Sequence, residues 1–171
     1  LSLTRGTAAY HRMLSKAPFN AWRFADAPLV QRLRGAVFGV IGMGRIGMAT
    51  ALRARAFGMR ILFYDPHLPS GVELSLGFER VLDLESLVSQ ADVMSIHAPL
   101  DQSTERLINR NLLGVGKRGQ ILVNTARGPI VDLDAVYECL QSGQLGGAGL
   151  DVLVTDLVSP RLRGSLEQGP A

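Results

Sequence analysis

The chain has one cysteine in 171 residues, so no internal disulfide can form and packing alone must hold the fold. Cys139 falls among Val136, Tyr137 and Leu140, a helical apolar pattern that predicts a buried, inert thiol. No apolar run approaches the roughly 18 residues a membrane span requires, so no membrane partner is expected. Leu1-Ser2-Leu3-Thr4-Arg5 lacks the basic-then-apolar order of a signal peptide, and the cytoplasm is the expected compartment. Clustered basic charge is missing too. The formal net charge is +3, but most of the 18 basic residues are arginines scattered along the chain. Without a basic stripe or a recognisable motif, a nucleic-acid partner is not expected. There is no internal repeat and no low-complexity segment. A hydrophobic content of 47% with 19% charged residues excludes a disordered chain and suits a single globular domain.

What is there is alternation. Residues 1–16 predict a helix, ended by the Ala17-Pro18 step because a residue before proline avoids the helical region. Its uncapped start at Leu1 reads as a helix cut from something longer. Residues 17–35 read as irregular, with Trp22 and Phe24 pinning them to the body. Ala36–Ile41 is a continuous apolar run, the mark of a strand buried on both faces. Arg45–Phe57 predicts a helix with Ile46, Ala49, Leu52 and Ala56 on its packing face and Gly58 as its left-handed terminator. Arg60–Tyr64 is a second strand, and Val81 marks a short third one. Asp83 caps a helix through Gln90, with Glu85 in its first turn. Val93–His97 is a strand broken by Ala98-Pro99-Leu100, and Arg110–Val115 a short helix. Then come a strand at Gln120–Asn124, a helix at Leu133–Ser142 capped by Asp132, and a strand at Gly147–Val152. This order predicts an α/β fold: a doubly wound parallel sheet of the Rossmann type, with helices on both faces and right-handed crossovers. The domain is expected to span 1–152 and to be entered by residues 1–35. Residues 153–171 are expected to form a divergent, disordered tail.

Between the first strand and its helix lies Gly42-Met43-Gly44-Arg45-Ile46-Gly47, a G-x-G-x-x-G turn in the context that gives it meaning. Gly42 allows the tight turn out of the strand, Gly44 leaves room for a pyrophosphate, and Gly47 lets the helix pack close to the strand. The free N–H groups and the dipole of the helix start then meet the phosphate charge. Ile41 through Gly47 are thus the candidate phosphate contacts. Asp65 follows Gly47 by 18 residues, at the end of the second strand. A carboxylate there can accept from both hydroxyls of an adenosine ribose and would repel a 2′-phosphate, which favours NAD over NADP. The alternatives are another nucleotide fold or a flavin site, with Asp65 only capping a turn.

The glycine turn, Phe63-Tyr64-Asp65-Pro66, Ser95–Leu100, Leu122–Gly128 and Gly149-Leu150-Asp151-Val152 together resemble the D-isomer-specific 2-hydroxyacid dehydrogenases. Gly71–Val81 is most similar to the C-terminal-binding-protein branch of that family. The resemblance implies that Ala98, Pro99, Leu100 and Thr104 lie on the loop passing the adenine and ribose side of NAD. It implies that Thr125, Ala126 and Arg127 sit beneath the nicotinamide and that Asp151 binds its carboxamide. Arg127 matches the family's substrate arginine, whose guanidinium clamps the carboxylate and carbonyl of a 2-oxo acid. The family also uses a histidine general acid and a glutamate that raises the histidine's pKa. At the glutamate's place this chain reads Leu153-Val154-Thr155-Asp156-Leu157, putting Asp156, one methylene shorter, in register. No Pro-His segment follows, and His11, His67 and His97 do not match by position. His97 reads as a structural histidine in a buried strand, and His67 as a surface residue near the adenosine side.

The resemblance therefore implies the cofactor domain of a larger enzyme without its substrate domain. The parent would reduce a small 2-oxo acid to a D-2-hydroxy acid with NADH, and this stretch would not turn over on its own. Homodimerisation is implied through the N-terminal helix. The second implied reading is an NAD-sensing, corepressor-like binding module, for which a nuclear location would apply.

Overall fold

Three apolar runs form the middle of the sheet because both of their faces are covered. In the computed structural model, which describes residues 1–16 and 31–153, β1 (Val37–Ile41) is buried at every position. It pairs in parallel with β2 (Arg60–Tyr64) on one side, Val40 opposite Phe63, and with β4 (Val93–Ile96) on the other, Val40 opposite Ser95. Beyond them lie β3 (Glu79–Arg80) against β2, β5 (Gln120–Asn124) against β4, and β6 (Leu145–Leu150) against β5. The order is β3-β2-β1-β4-β5-β6, all parallel, so the chain winds outward from β1, returns, and winds outward the other way. This is the doubly wound Rossmann arrangement expected from the alternation, with its reversal between β1 and β4.

Alternate strand residues feed two cores. Phe38, Val40, Ile61 and Phe63 meet helix α2 (Arg45–Ala56) on one face. On the other, Ile41, Leu62, Met94 and Leu122 meet α4 (Leu84–Gln90), α5 (Arg110–Gly114) and α6 (Leu133–Ser142). Three of these helix starts are fixed by side chains. Asp83 accepts from Ser86 N at 2.7 Å, Asn109 from Leu112 N at 3.1 Å, and Asp132 from Asp134 N and Ala135 N at 3.1 and 3.3 Å. Gly58 takes φ +77 just past α2, as expected, and Cys139 is buried, its thiol pKa pushed up by that burial. Among the described residues no helix is long and apolar enough to cross a membrane.

Several boundaries differ from expectation for physical reasons. Helix α1 begins at Thr7, not Leu1, because Leu1–Gly6 coils back on itself. There Thr4 Oγ1 donates to Leu1 O, Gly6 takes φ +64, and Leu3 covers the bare backbone of Gly147 and Gly149. The packing face of α2 is Gly47, Ala51 and Ala54, while Ile46 and Leu52 are 68% and 43% exposed. Small residues win that face because the helix lies too close to the sheet for large ones. Strand β6 starts at Leu145, two residues early, and β3 ends one residue before Val81, whose N still donates to Phe63 O. A short helix α3 (Val72–Leu76) sits between Gly71 and Gly77, both left-handed, in a stretch without helical periodicity. The expectations for Trp22, Phe24, Asp156 and the remaining tail beyond Leu153 lie outside the described residues.

Two stability predictions follow from this packing. A Cβ on residue 47 would stand 2.1 Å from Gly42 O, so Gly47→Ala is expected to lower unfolding free energy in urea. The loss should be about 1–3 kcal/mol, the cost of overpacking a tight contact. Asp132 caps α6 and also accepts from Arg106 Nη2 at 2.5 Å. Burial raises its carboxyl pKa, but the Arg106 hydrogen bond and charge, with two backbone donors, outweigh burial and hold it below the ordinary range. A carboxylate with a depressed folded-state pKa contributes its stability above about pH 4 and loses it as pH falls through the folded value. The advantage of the wild type over Asp132→Asn is therefore expected to be full at pH 7 and to shrink below about pH 4. Urea midpoints at the two pH values check it; a difference independent of pH contradicts it.

Candidate active site

The loops that follow β1, β2, β4, β5 and β6 all emerge at one edge of the sheet, around the point where the strand order reverses. Gly42 leaves β1 at φ +88, its N–H donating to Tyr64 O at 2.9 Å. A Cβ there would meet Ala98 N at 2.8 Å and His97 C at 2.9 Å, so the β1 and β4 loops touch only because residue 42 has no side chain. Gly47 makes the equivalent demand between α2 and the Gly42 carbonyl. Gly44 differs: a Cβ there would meet nothing within 4 Å. Its bareness serves nothing in the protein itself and keeps that side of the turn open to a ligand's close approach.

Gly44 also gives α2 no side-chain cap, and the first turn carries no acidic residue. The N–H groups of that turn thus have no side-chain acceptor. With the positive end of the helix dipole they form an anion site of the kind phosphates occupy. Beside it, Asp65 Oδ2 accepts from Met43 N at 2.9 Å and Oδ1 from His67 N at 2.9 Å. The half-buried carboxylate thereby ties the β2 loop to the glycine turn, and each oxygen keeps a further lone pair.

On the other side of the reversal, Asp101 Oδ1 accepts from Ser103 N and Oγ and from Thr104 N. Thr104 Oγ1 donates to Pro99 O at 2.7 Å and accepts from Asp101 N at 2.8 Å. The hydroxyl of Thr104 is thus spent bracing the loop. After β5, Asn124 governs the turn. Fully buried, it accepts from Ala126 N at 3.0 Å and donates to Arg127 O at 2.9 Å, while its own carbonyl accepts from Asp151 N at 3.0 Å. In the sequence Asn124 stands out only as the last residue of a strand. The available signal was a polar residue closing an apolar strand, which burial obliges to find partners.

Between these loops lies a cleft of about 550 Å³ lined by Ile46, His97, Ala98, Pro99, Leu100, Thr125, Ala126 and Arg127. It brings together seven of the residues expected at the site. Gly42, Met43 and Asp65 stand beside it on the β1–β2 side, joined by the hydrogen bonds above, and Asp151 stands at the end of β6. Thr104 does not line it. His97 does. Its Nε2 lies 2.9 Å from Ser95 Oγ, the satisfied ring expected of a structural histidine, yet one edge forms cleft wall. Burial lowers its pKa, so the ring is neutral at pH 7. The guanidinium of Arg127 is exposed at the mouth, Nη1 donating to Ala126 O at 2.7 Å, with donors left for an external carboxylate.

Comparison with known proteins agrees with this geometry. The family described as D-isomer specific 2-hydroxyacid dehydrogenase, NAD binding domain, matches residues 1–163. The chain is 43% identical to a glyoxylate reductase of Korarchaeum cryptofilum over 142 residues, covering 81% of this chain and 42% of that protein. It is 44% identical to a D-3-phosphoglycerate dehydrogenase of Methanocaldococcus jannaschii over 120 residues, covering 70% of this chain and 23% of that protein. The structure of D-lactate dehydrogenase from Escherichia coli superposes with a TM-score of 0.77 at 36% identity, covering 88% of this chain and 47% of that one. The chain thus spans less than half the length of these relatives. It belongs to the D-isomer-specific 2-hydroxyacid dehydrogenase family, as the NAD-binding domain.

Proposed function

We propose that this chain is the cofactor-holding half of an oxidoreductase that interconverts a small 2-oxo acid and a D-2-hydroxy acid. The observation that carries this reading is the cleft itself. One wall comes from the uncapped start of α2, another from Ala98–Leu100, and Arg127 stands at the mouth. The residues fit NAD: the open side of Gly44 and the free first turn suit a pyrophosphate, and Asp65 suits an unphosphorylated ribose. Ile41 through Gly47 hold the phosphates, with Arg45 and Ile46 contributing backbone N–H groups. Ala98, Pro99 and Leu100 line the cofactor's path, and Thr104 sets their loop. Thr125, Ala126 and Arg127 would hold the nicotinamide end, and Asp151 would accept from its carboxamide.

Bound there, NADH supplies a hydride for the carbonyl carbon of the substrate. Arg127 holds the substrate carboxylate and polarises the carbonyl, favouring the oxyanion that forms as charge develops. Ala98, Pro99 and Ala126 give the cleft an apolar wall beside the reacting face. A proton must also reach the carbonyl oxygen, and His97 is unsuited to give it. Its ring is neutral and bonded to Ser95, and burial moves its pKa away from that of a useful acid. Asp156 takes the family carboxylate's place in this reading, and residues 1–152 are the unit that binds. Pairing of two copies, a cytoplasmic site and a role for 153–171 as a tail belong to the same proposal. A second reading, an NAD-sensing corepressor-like module, is favoured by Gly71–Val81, the segment most similar to that branch.

Titration with NADH, followed by nicotinamide fluorescence, is expected to show saturable binding by this chain without appreciable reduction of glyoxylate. Robust turnover would refute the assignment of proton delivery outside these residues. Asp65→Ala is expected to weaken NADH binding about tenfold, the loss of hydrogen bonds to a charged group, and to relax the preference over NADPH. An unchanged preference would remove Asp65 from the ribose.

A further inference from the structure

Arg80 is a charged residue in a two-residue edge strand, opposite Phe63 of β2, yet its side chain is only 12% exposed. Its guanidinium turns inward under the loop that follows β2. Nη2 donates to Asp65 O and to Leu68 O, both at 2.8 Å, and Nη1 donates to Pro69 O at 3.0 Å. One planar fork therefore gathers three carbonyls of a five-residue loop. Glu73 of α3 holds the fork from behind, its Oε2 lying 3.7 Å from Arg80 Nη1 while Oε1 accepts from Gly71 N at 3.0 Å. Arg80 Nε and Glu73 Oε2 are both buried without a hydrogen-bond partner, so the pair is committed to this place at the expense of solvation. The loop so gathered is the one that carries Asp65. Its carboxylate reaches the glycine turn at Met43 N, so the peptide plane of Asp65 sets where that carboxylate stands.

We propose that Arg80 is a positioning residue for cofactor selectivity: by clamping the carbonyls of Asp65, Leu68 and Pro69 it holds the Asp65 carboxylate at the ribose hydroxyls. Three of its five N–H donors go to the loop, its Nε is buried and Glu73 lies against the fork, so the guanidinium is committed to the loop and not to a 2′-phosphate. The guanidinium geometry matters because an ammonium is a point donor and cannot hold three carbonyls in one plane. The inference rests on the proposed placement of the cofactor's ribose at Asp65.

The test is a double-mutant cycle on this chain, with NADH and NADPH affinities read for the wild type, Asp65→Ala, Arg80→Met and both together. Arg80→Met is expected to weaken NADH about tenfold, the size of coupling between residues of one hydrogen-bonded network, and NADPH far less, so that the preference narrows. In the Asp65→Ala background it is expected to change NADH affinity hardly at all. Arg80→Lys should recover part of the preference. If Arg80→Met does not fold, Arg80→Lys carries the test, with a preference intermediate between those of the wild type and Asp65→Ala. An unchanged NADH:NADPH ratio in the Arg80 variant overturns the proposal, as does an equal loss with and without Asp65, which would make Arg80 a general support. If Asp65→Ala itself leaves the ratio untouched, the ribose placement fails first and takes this inference with it.

Discussion

The carbonyl oxygen of Gly42 occupies the space that a side chain on residue 47 would need, and the rest of the site follows from that approach. It lets α2 start directly above the end of β1, so that the helix dipole points at the turn. It also draws α2 against the sheet so closely that only Gly47, Ala51 and Ala54 fit beneath it. The same turn leaves Gly42 without a side chain where the backbone of the β4 loop arrives, which joins the two halves of the winding at the reversal. A helix start that another protein would cap with aspartate or serine is here left without a cap. Its unmet N–H groups are tolerated because solvent satisfies them in the free protein and a phosphate does so better.

Around that anion site most polar side chains are held at more than one atom or by more than one bond. Asp65 is bound through both carboxylate oxygens, Asn124 through both ends of its amide, and Thr104 through its hydroxyl as donor and acceptor. The loops after β1, β2, β4 and β5 are thus braced by polar side chains from the strand ends or from the loops themselves. Preorganisation of this kind lets binding energy go into the ligand rather than into ordering the receptor. Arg127 is the exception. It is held by one short contact to its own neighbour's carbonyl and otherwise faces solvent, as suits the substrate-binding role proposed for it.

The sheet was legible because fully buried parallel strands are written as unbroken apolar runs and their helices as capped segments. Asp83 and Asp132 announced α4 and α6 correctly. The face of α2 was misjudged because periodicity rewards large apolar residues, whereas closeness to the sheet selects small ones; Ile46 then proves to be cleft wall. The glycine turn was legible from spacing, since Gly42 and Gly47 meet backbone requirements that few other residues meet, and Asp65 stands beside it. Asn124 and Arg80 were not. Both are polar residues in strands whose value lies in bonds to backbone carbonyls and amides, and such partners leave no mark in the sequence. His97 was half legible: its strand showed that it would be buried, but not that the edge of its ring would reach the cleft.

Amide chemical shifts of the isotopically labelled chain, followed during titration with NADH, test the central claim most directly. The account predicts the largest changes at Gly44, Arg45, Ile46 and Gly47, with a second group at Thr125, Ala126 and Arg127. Changes confined to the opposite edge of the sheet, around Gln31, Lys117 and Gly119, would contradict it.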